Sequence, residues 1–220
     1  MSKIAIVTAM KEEAEHIISL YDLHETKKLK NITIFENEKM VLALAGIGKV
    51  QASIATTYLF LNYEISKLIN IGIAGSLLGE NASIGDVFLL NKISQHDMYL
   101  PFDGEHLYYA KKEIIIENDI SLDFSDLPFN VTKNAYCLTG DQFIDDAEKV
   151  LELKEKYNAD VIEMEAFAIA SVAREFDSLE KCIFIKAISD GADNDAKDAH
   201  MGNLDFAMNN SIKVLKKIIS

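Results

Sequence analysis

Apolar, β-branched runs alternate with stretches of helical spacing along the whole chain. Lys3 to Ala9 is apolar and β-branched and predicts a buried strand. Met10-Lys11-Glu12-Glu13 then opens a helix through about Tyr21, with Ala14, Ile17, Ile18 and Tyr21 on one stripe. Asn31 to Glu36 and Lys39 to Ala45 predict a hairpin around Asn37-Glu38. Gly46-Ile47-Gly48-Lys49 breaks the pattern, and Val50 to Leu61 returns to helix spacing. Lys67 to Ala74 reads as another buried strand, Gly75 to Gly79 as a turn, and Asp86 to Lys92 as a further strand. Ser94 to Phe129 is the least regular part, with both prolines and an aromatic group of Tyr99, Phe102, Tyr108 and Tyr109. It predicts a long loop with short strands, of the kind that serves function or covers an interface. Beyond it the pattern gives a strand over Asn134–Thr139, a helix over Asp145–Tyr157 and a short strand over Asp160–Glu163. A helix over Glu165–Phe176, a strand over Cys182–Ile188, a polar loop over Asp190–Asn203 and a closing helix over Leu204–Ile219 complete the chain.

This alternation, without a linker rich in glycine, serine or proline, predicts one α/β domain over residues 1–220. The expected architecture is three-layer αβα, with a central mixed, mostly parallel twisted sheet covered on both faces. An apolar content of 49% supplies its core. The net charge of −13 argues against a nucleic-acid partner, which needs a basic face, but not against a small neutral ligand. No run reaches the roughly 18 apolar residues of a membrane span. Cys137 and Cys182 each lie in an apolar segment, which predicts buried free thiols and a reducing compartment. The first residues read as a strand rather than a signal peptide, so the expectation is a soluble cytoplasmic protein.

Several familiar motifs fail. Gly46-Ile47-Gly48-Lys49 lacks the earlier glycine and the following Ser or Thr of a phosphate loop, having Ala43 and Val50 there. No histidine pair is one helical turn apart and none neighbours a cysteine at zinc spacing, so no metal is expected. Asp190 to Asp195 lacks the glycine and terminal glutamate of a calcium loop. Ser76 and Ser189 fit no hydrolase elbow. What holds is a set of acids at strand ends: Glu13 (or Glu12), Glu165 and Asp190. Parallel strands in one sheet end on one edge, so these acids can line a single crevice. Taken singly, each also has an ordinary structural reading, as a helix N-terminal acid or a turn cap.

Six blocks then appear in order: Ala9-Met10-Lys11-Glu12-Glu13, Gly46-Ile47-Gly48-Lys49-Val50, Asn70 to Leu77, Gly140-Asp141-Gln142-Phe143-Ile144, Val161-Ile162-Glu163-Met164-Glu165-Ala166 and Ala187-Ile188-Ser189-Asp190. Together they resemble the bacterial 5′-methylthioadenosine/S-adenosylhomocysteine nucleosidases of the nucleoside phosphorylase superfamily, from residue 1 to the last helix. The resemblance implies a nucleoside phosphorylase-like fold and a hydrolase that releases adenine from a 5′-thio-substituted adenosine. It implies that Glu13 activates water and that Asp190 is the general acid toward adenine N7. Glu165 matches the acid that holds the ribose hydroxyls, with Met164 beside it. Phe143 matches the ring that stacks on adenine, and Ile144 the backbone that reads the purine edge. Ala74, Gly75 and Ser189 join the substrate-binding set, Met10 and Ile47 match apolar walls, and Leu100 matches a wall near the alkylthio tail. The resemblance implies a nucleoside and water as partners, no cofactor, and a homodimer in which a neighbour's loop, here Tyr99 to Phe102, closes the tail end.

These residue types suit the chemistry. The N-glycosidic bond breaks through a sugar cation. Adenine leaves poorly as an anion, so Asp190 must hold a proton to give, which burial favours in a carboxyl. Glu13 deprotonates water on the other face, and Glu165 sets negative charge beside the developing cation. Two positions depart from the family pattern: Ile73 replaces a serine, and Lys186 replaces an arginine and loses its fork geometry. Phe206 is the candidate for the ring that covers the tail. The alternatives are a phosphorylase of the same fold, for which Arg174 is the one arginine available, and an inactive adenosine-binding protein. Related enzymes also cleave aminodeoxyfutalosine, and the 5′ end of the pocket decides among these substrates.

Overall fold

The computed structural model describes residues 2–101, 104, 113–117, 120–192 and 196–220. Of the residues singled out above, Phe102, Tyr108, Tyr109 and residues 193–195 lie outside these.

Strand β1 (Lys3–Thr8) leads into helix α1 (Lys11–Tyr21). Strands β2 (His24–Lys28), β3 (Thr33–Glu36) and β4 (Met40–Leu44) follow, then helix α2 (Lys49–Asn62) and the long strand β5 (Ile65–Ser76). Next come β6 (Val87–Gln95), the short β7 (Ile114–Ile115) and β8 (Val131–Thr139). Helix α3 (Ala147–Tyr157) is capped by Asp146, whose carboxylate accepts the Glu148 and Lys149 N–H groups. The chain closes with β9 (Val161–Glu163), α4 (Ala166–Glu175), β10 (Cys182–Asp190) and α5 (Ala196–Ile219).

The central strands β4, β1, β5 and β10 run parallel, and antiparallel pairings extend the sheet at β3, β2 and β6. Strand β5 bonds β1, β10 and β9, while β10 bonds β6, β6 bonds β8 and β8 bonds β9. The far half of the sheet therefore curls into a closed ring that passes through β5. Alternating side chains supply the layers, as a sheet buried on both faces requires. Ala5 and Val7 join Ala52, Ala55 and Leu59 of α2 and the alanines of α4 on one face. Ile6 joins Ala14 and Ile17 of α1 and Leu204, Ala207 and Met208 of α5 on the other. Among the described residues no helix is long and apolar enough to cross a membrane. Cys137 and Cys182 are both buried, and burial pushes the Cys182 thiol up to about 12.

Two elements differ from the sequence reading. Strand β2 is absent from it, because all five of its residues are exposed and polar, leaving no apolar alternation to detect. Its charged edge discourages further pairing. The polar loop expected up to Asn203 is a helix from Ala196 onward. Gly202 and the polar residues around it read as loop by propensity, but Ala196 is fully buried and the Asn203 side chain donates to the Ser189 carbonyl at 3.0 Å. Tertiary packing thus extends the helix back toward the end of β10.

Candidate active site

Strand register assembles the site. Lys186 stands beside Gly72, Asp190 beside Gly75, and Thr139 beside Glu163. At Gly72 a β-carbon would fall 2.5 Å from Glu13 Oε1, so the bare backbone of β5 is what admits that carboxylate. Glu13 occupies the first turn of α1, where Oε2 accepts the Ala9 and Met10 N–H groups at 2.9 and 3.0 Å. Its Oε1 accepts the Ile73 N–H at 3.2 Å. Burial pushes Glu13 above the ordinary carboxylate range, against the opposing pull of Lys186 and these three amides.

Glu163 and Glu165 flank Met164 and differ sharply. Although burial works against its charge, Glu163 is held below its ordinary value by Lys186 and a full set of hydrogen bonds. Its carboxylate lies 2.8 Å from Lys186 Nζ and accepts the Thr139 hydroxyl and the backbone N–H groups of Glu165 and Ala166. Glu165 accepts the Gly48 N–H at 2.9 Å and stands 3.9 Å from Lys186. Burial, with Glu163 and Glu13 nearby, raises Glu165 to about 7 despite the lysine and that amide. Its acceptor capacity is left largely unspent, which is what a binder of vicinal hydroxyls requires. Lys186 is 2% exposed, and the three glutamates outweigh burial and keep it protonated.

At the other end Asp190 is also 2% exposed. Its Oδ1 accepts the Ala192 N–H at 2.9 Å and its Oδ2 the Ser189 hydroxyl at 2.7 Å. Phe143 is 44% exposed and meets the His200 ring edge-on, with centroids 5.4 Å apart. The loop that carries Phe143 is pinned to the start of α2. Lys49 Nζ contacts Asp97 at 2.6 Å, Asp97 accepts the Asp141 N–H at 2.8 Å, and Asp141 accepts the Lys49 N–H at 2.7 Å. At the cap of α2, Gly48 has φ +95°, a conformation that favours glycine, and this aims its N–H at Glu165.

All three predicted acids line one cleft of about 620 Å³, counting space open to solvent. Among the described residues no cluster of His, Cys, Asp and Glu side chains is placed to hold a metal ion. The family described as the Phosphorylase superfamily matches residues 3–220. The chain belongs to the Phosphorylase superfamily. An aminodeoxyfutalosine nucleosidase of Helicobacter pylori is 29% identical, covering 100% of this chain and 98% of its own. A 5′-methylthioadenosine/S-adenosylhomocysteine nucleosidase of Buchnera aphidicola is 30% identical over 99% of this chain and 89% of its own. The crystal structure of the corresponding Neisseria meningitidis nucleosidase, in complex with methylthio-immucillin-A, superimposes with a TM-score of 0.86. It is 26% identical and covers 100% of this chain and 99% of that one. This member of the Phosphorylase superfamily is a nucleosidase-type enzyme, an N-glycosyl hydrolase.

Most expected positions of this superfamily member meet in the cleft: Met10, Glu13, Ile47, Ala74, Gly75, Phe143, Ile144, Met164, Glu165 and Asp190. Ser189 stands behind it, holding Asp190 rather than facing the cavity. Leu100 is not among the lining residues of the single chain, and Phe206 packs against Gly85 instead. Lining residues that the sequence reading did not assign include Gln142, Ala192 and His200. For His200 the missing signal was the early start of α5, which turns an apparent loop residue into one fixed beside Asp190.

Proposed function

We propose that this chain hydrolyses the N-glycosidic bond of 5′-methylthioadenosine and S-adenosylhomocysteine, with residues 1–220 acting as one domain. Asp190 protonates the departing adenine at N7, and Glu13 takes a proton from the water that attacks the anomeric carbon. Glu165 accepts from the ribose hydroxyls and adds negative charge beside the sugar cation. Phe143 stacks on the base, Ile144 reads its edge, and Met10, Ile47, Ala74, Gly75 and Met164 wall the remainder. The observation that carries this reading is the meeting of Glu13, Glu165 and Asp190 in a single cleft beside Phe143. No lysine or arginine lines that cleft among the described residues, which disfavours an anionic co-substrate such as phosphate.

The full-length match to an aminodeoxyfutalosine nucleosidase supports a second substrate, differing at the 5′ end. A homodimer in the cytoplasm completes the reading. On α2, Val50, Ile54 and Leu61 are exposed by 66%, 49% and 69%, an apolar face suited to a second copy whose Tyr99–Phe102 segment brings Leu100 to the tail end. A solution mass of a single chain, measured by light scattering, would remove that part.

The test is adenine release from methylthioadenosine, adenosylhomocysteine, deoxyadenosine derivatives and aminodeoxyfutalosine, with and without phosphate. Free adenine and free thio-substituted ribose are expected in both conditions. A phosphate-dependent sugar 1-phosphate would establish phosphorolysis instead, and no release from any substrate would favour an inactive binder.

A further inference from the structure

Asp190 is nearly sealed from water, yet His200 reaches it from the second turn of α5. The His200 Nδ1 lies 3.4 Å from Asp190 Oδ2 and 3.4 Å from Ser189 Oγ. These are long contacts, as acid–base hydrogen bonds in a ligand-free site commonly are. The His200 side chain keeps 19% exposure against 3% for that of Asp190. Of the described groups touching Asp190, the imidazole alone both reaches solvent and can take up and release a proton through its ring nitrogens.

The proposed hydrolysis makes that arrangement useful. Each turnover moves one proton from Asp190 to adenine and one from water to Glu13. Proton number is conserved overall, but the base end is emptied while the sugar end is filled. A bare Asp190 carboxylate would then lie in a buried cleft with Glu13 and Glu165, where uncompensated charge is costly.

The geometry points to His200 as a positioning residue that reloads Asp190, a role that rests on the nucleosidase reading above. As Asp190 gives its proton to the base, the imidazolium Nδ1–H passes to Oδ2 and leaves a neutral ring. The ring regains a proton from solvent after product departs, while Glu13 returns its own proton to solvent. No sequence block used to recognise the site contains His200.

The test compares wild type, His200→Ala, His200→Asn and, as a control on the same helix, the 73% exposed Met201→Ala. Steady-state adenine release gives kcat and KM for each, and melting temperature reports folding. His200→Ala should lose roughly 100-fold in kcat with KM within about twofold of wild type, the low end of an acid–base contribution. His200→Asn, which can occupy the Nδ1 position but cannot carry a proton, should be equally slow. Added imidazole should restore His200→Ala and leave Asp190→Asn slow, and Met201→Ala should match wild type. A His200→Asn rate at the wild-type level, or an imidazole-insensitive His200→Ala, would overturn proton reloading. Should His200→Ala fail to fold, the His200→Asn rate decides alone. If wild type releases no adenine, the nucleosidase reading falls and this one with it; if wild type is active and both His200 variants keep its kcat, reloading alone falls.

Discussion

The two ends of the cleft are both built around carboxylates, and they handle charge in opposite ways. On the proposed reading one end takes the sugar and the other the base; at the sugar end Glu13, Glu163 and Glu165 surround one buried lysine, and backbone amides hold each carboxylate. Backbone donors orient these carboxylates before any ligand arrives, which suits electrostatic stabilisation of a cation. At the base end Asp190 is held by one amide, a hydroxyl and an imidazole, beside a half-exposed aromatic ring. The hydroxyl and the imidazole are carried on rotatable side chains. One end thus orients its carboxylates mainly through backbone amides, while the other adds a hydroxyl and an imidazole.

The contrast can be broken most sharply at Asp190. Asp190→Asn keeps the shape and removes the proton, so kcat should fall by about 10²–10⁴ while calorimetry shows ligand binding retained. If binding disappears instead, Asp190 holds the site's structure rather than supplying a proton. Next in size is Lys186→Met, which leaves Glu163 and Glu165 buried beside no cation. Removing one partner of such a pair costs about 3–5 kcal/mol, readable by urea denaturation. A change below about 1 kcal/mol would mean that the amides alone hold this end.

Glu165→Gln sharpens the picture through pH. Its carboxyl titrates near 7 in the fold against a reference of 4.5, so between these values the folded protein binds more protons than the unfolded chain. Its contribution to stability is full below about pH 4.5 and is lost as pH rises through 7. The glutamine variant should therefore be more stable than wild type by about 1–3 kcal/mol at pH 8, with the gap shrinking toward pH 5. An equal gap at both pH values would contradict the raised titration. The smallest effect is expected at the rim: Phe143→Leu should raise KM roughly 2- to 10-fold with little change in kcat, the worth of one aromatic contact.

Much of this was legible in the chain because strand ends are marked by apolar runs that stop on acids. Glu13, Glu165 and Asp190 each stand just past such a run, which allowed a shared crevice, and the six ordered blocks of the resemblance singled them out. The supporting partners were not visible in that way. Gly72 looks like any strand glycine until Glu13 Oε1 is seen pressed against it. The Lys49, Asp97 and Asp141 network joins three segments through backbone amides, a pattern without local periodicity. His200 was hidden by propensity, since Gly202 and Asn203 resemble loop while packing makes them helix. Strand β2 was hidden by the opposite cause, polar exposed residues that join the sheet without apolar alternation.

Strand β5 touches both of the proposed reacting groups: its Ile73 amide holds Glu13 and its Gly75 abuts Asp190. Adding or deleting a single residue between Lys67 and Ser76 would flip that spacing and disengage acid from base at once. The stretch is accordingly a fixed ruler, and variation in chain length across relatives of this protein is expected to collect outside it, in segments such as Leu77–Asp86 that join one strand to the next.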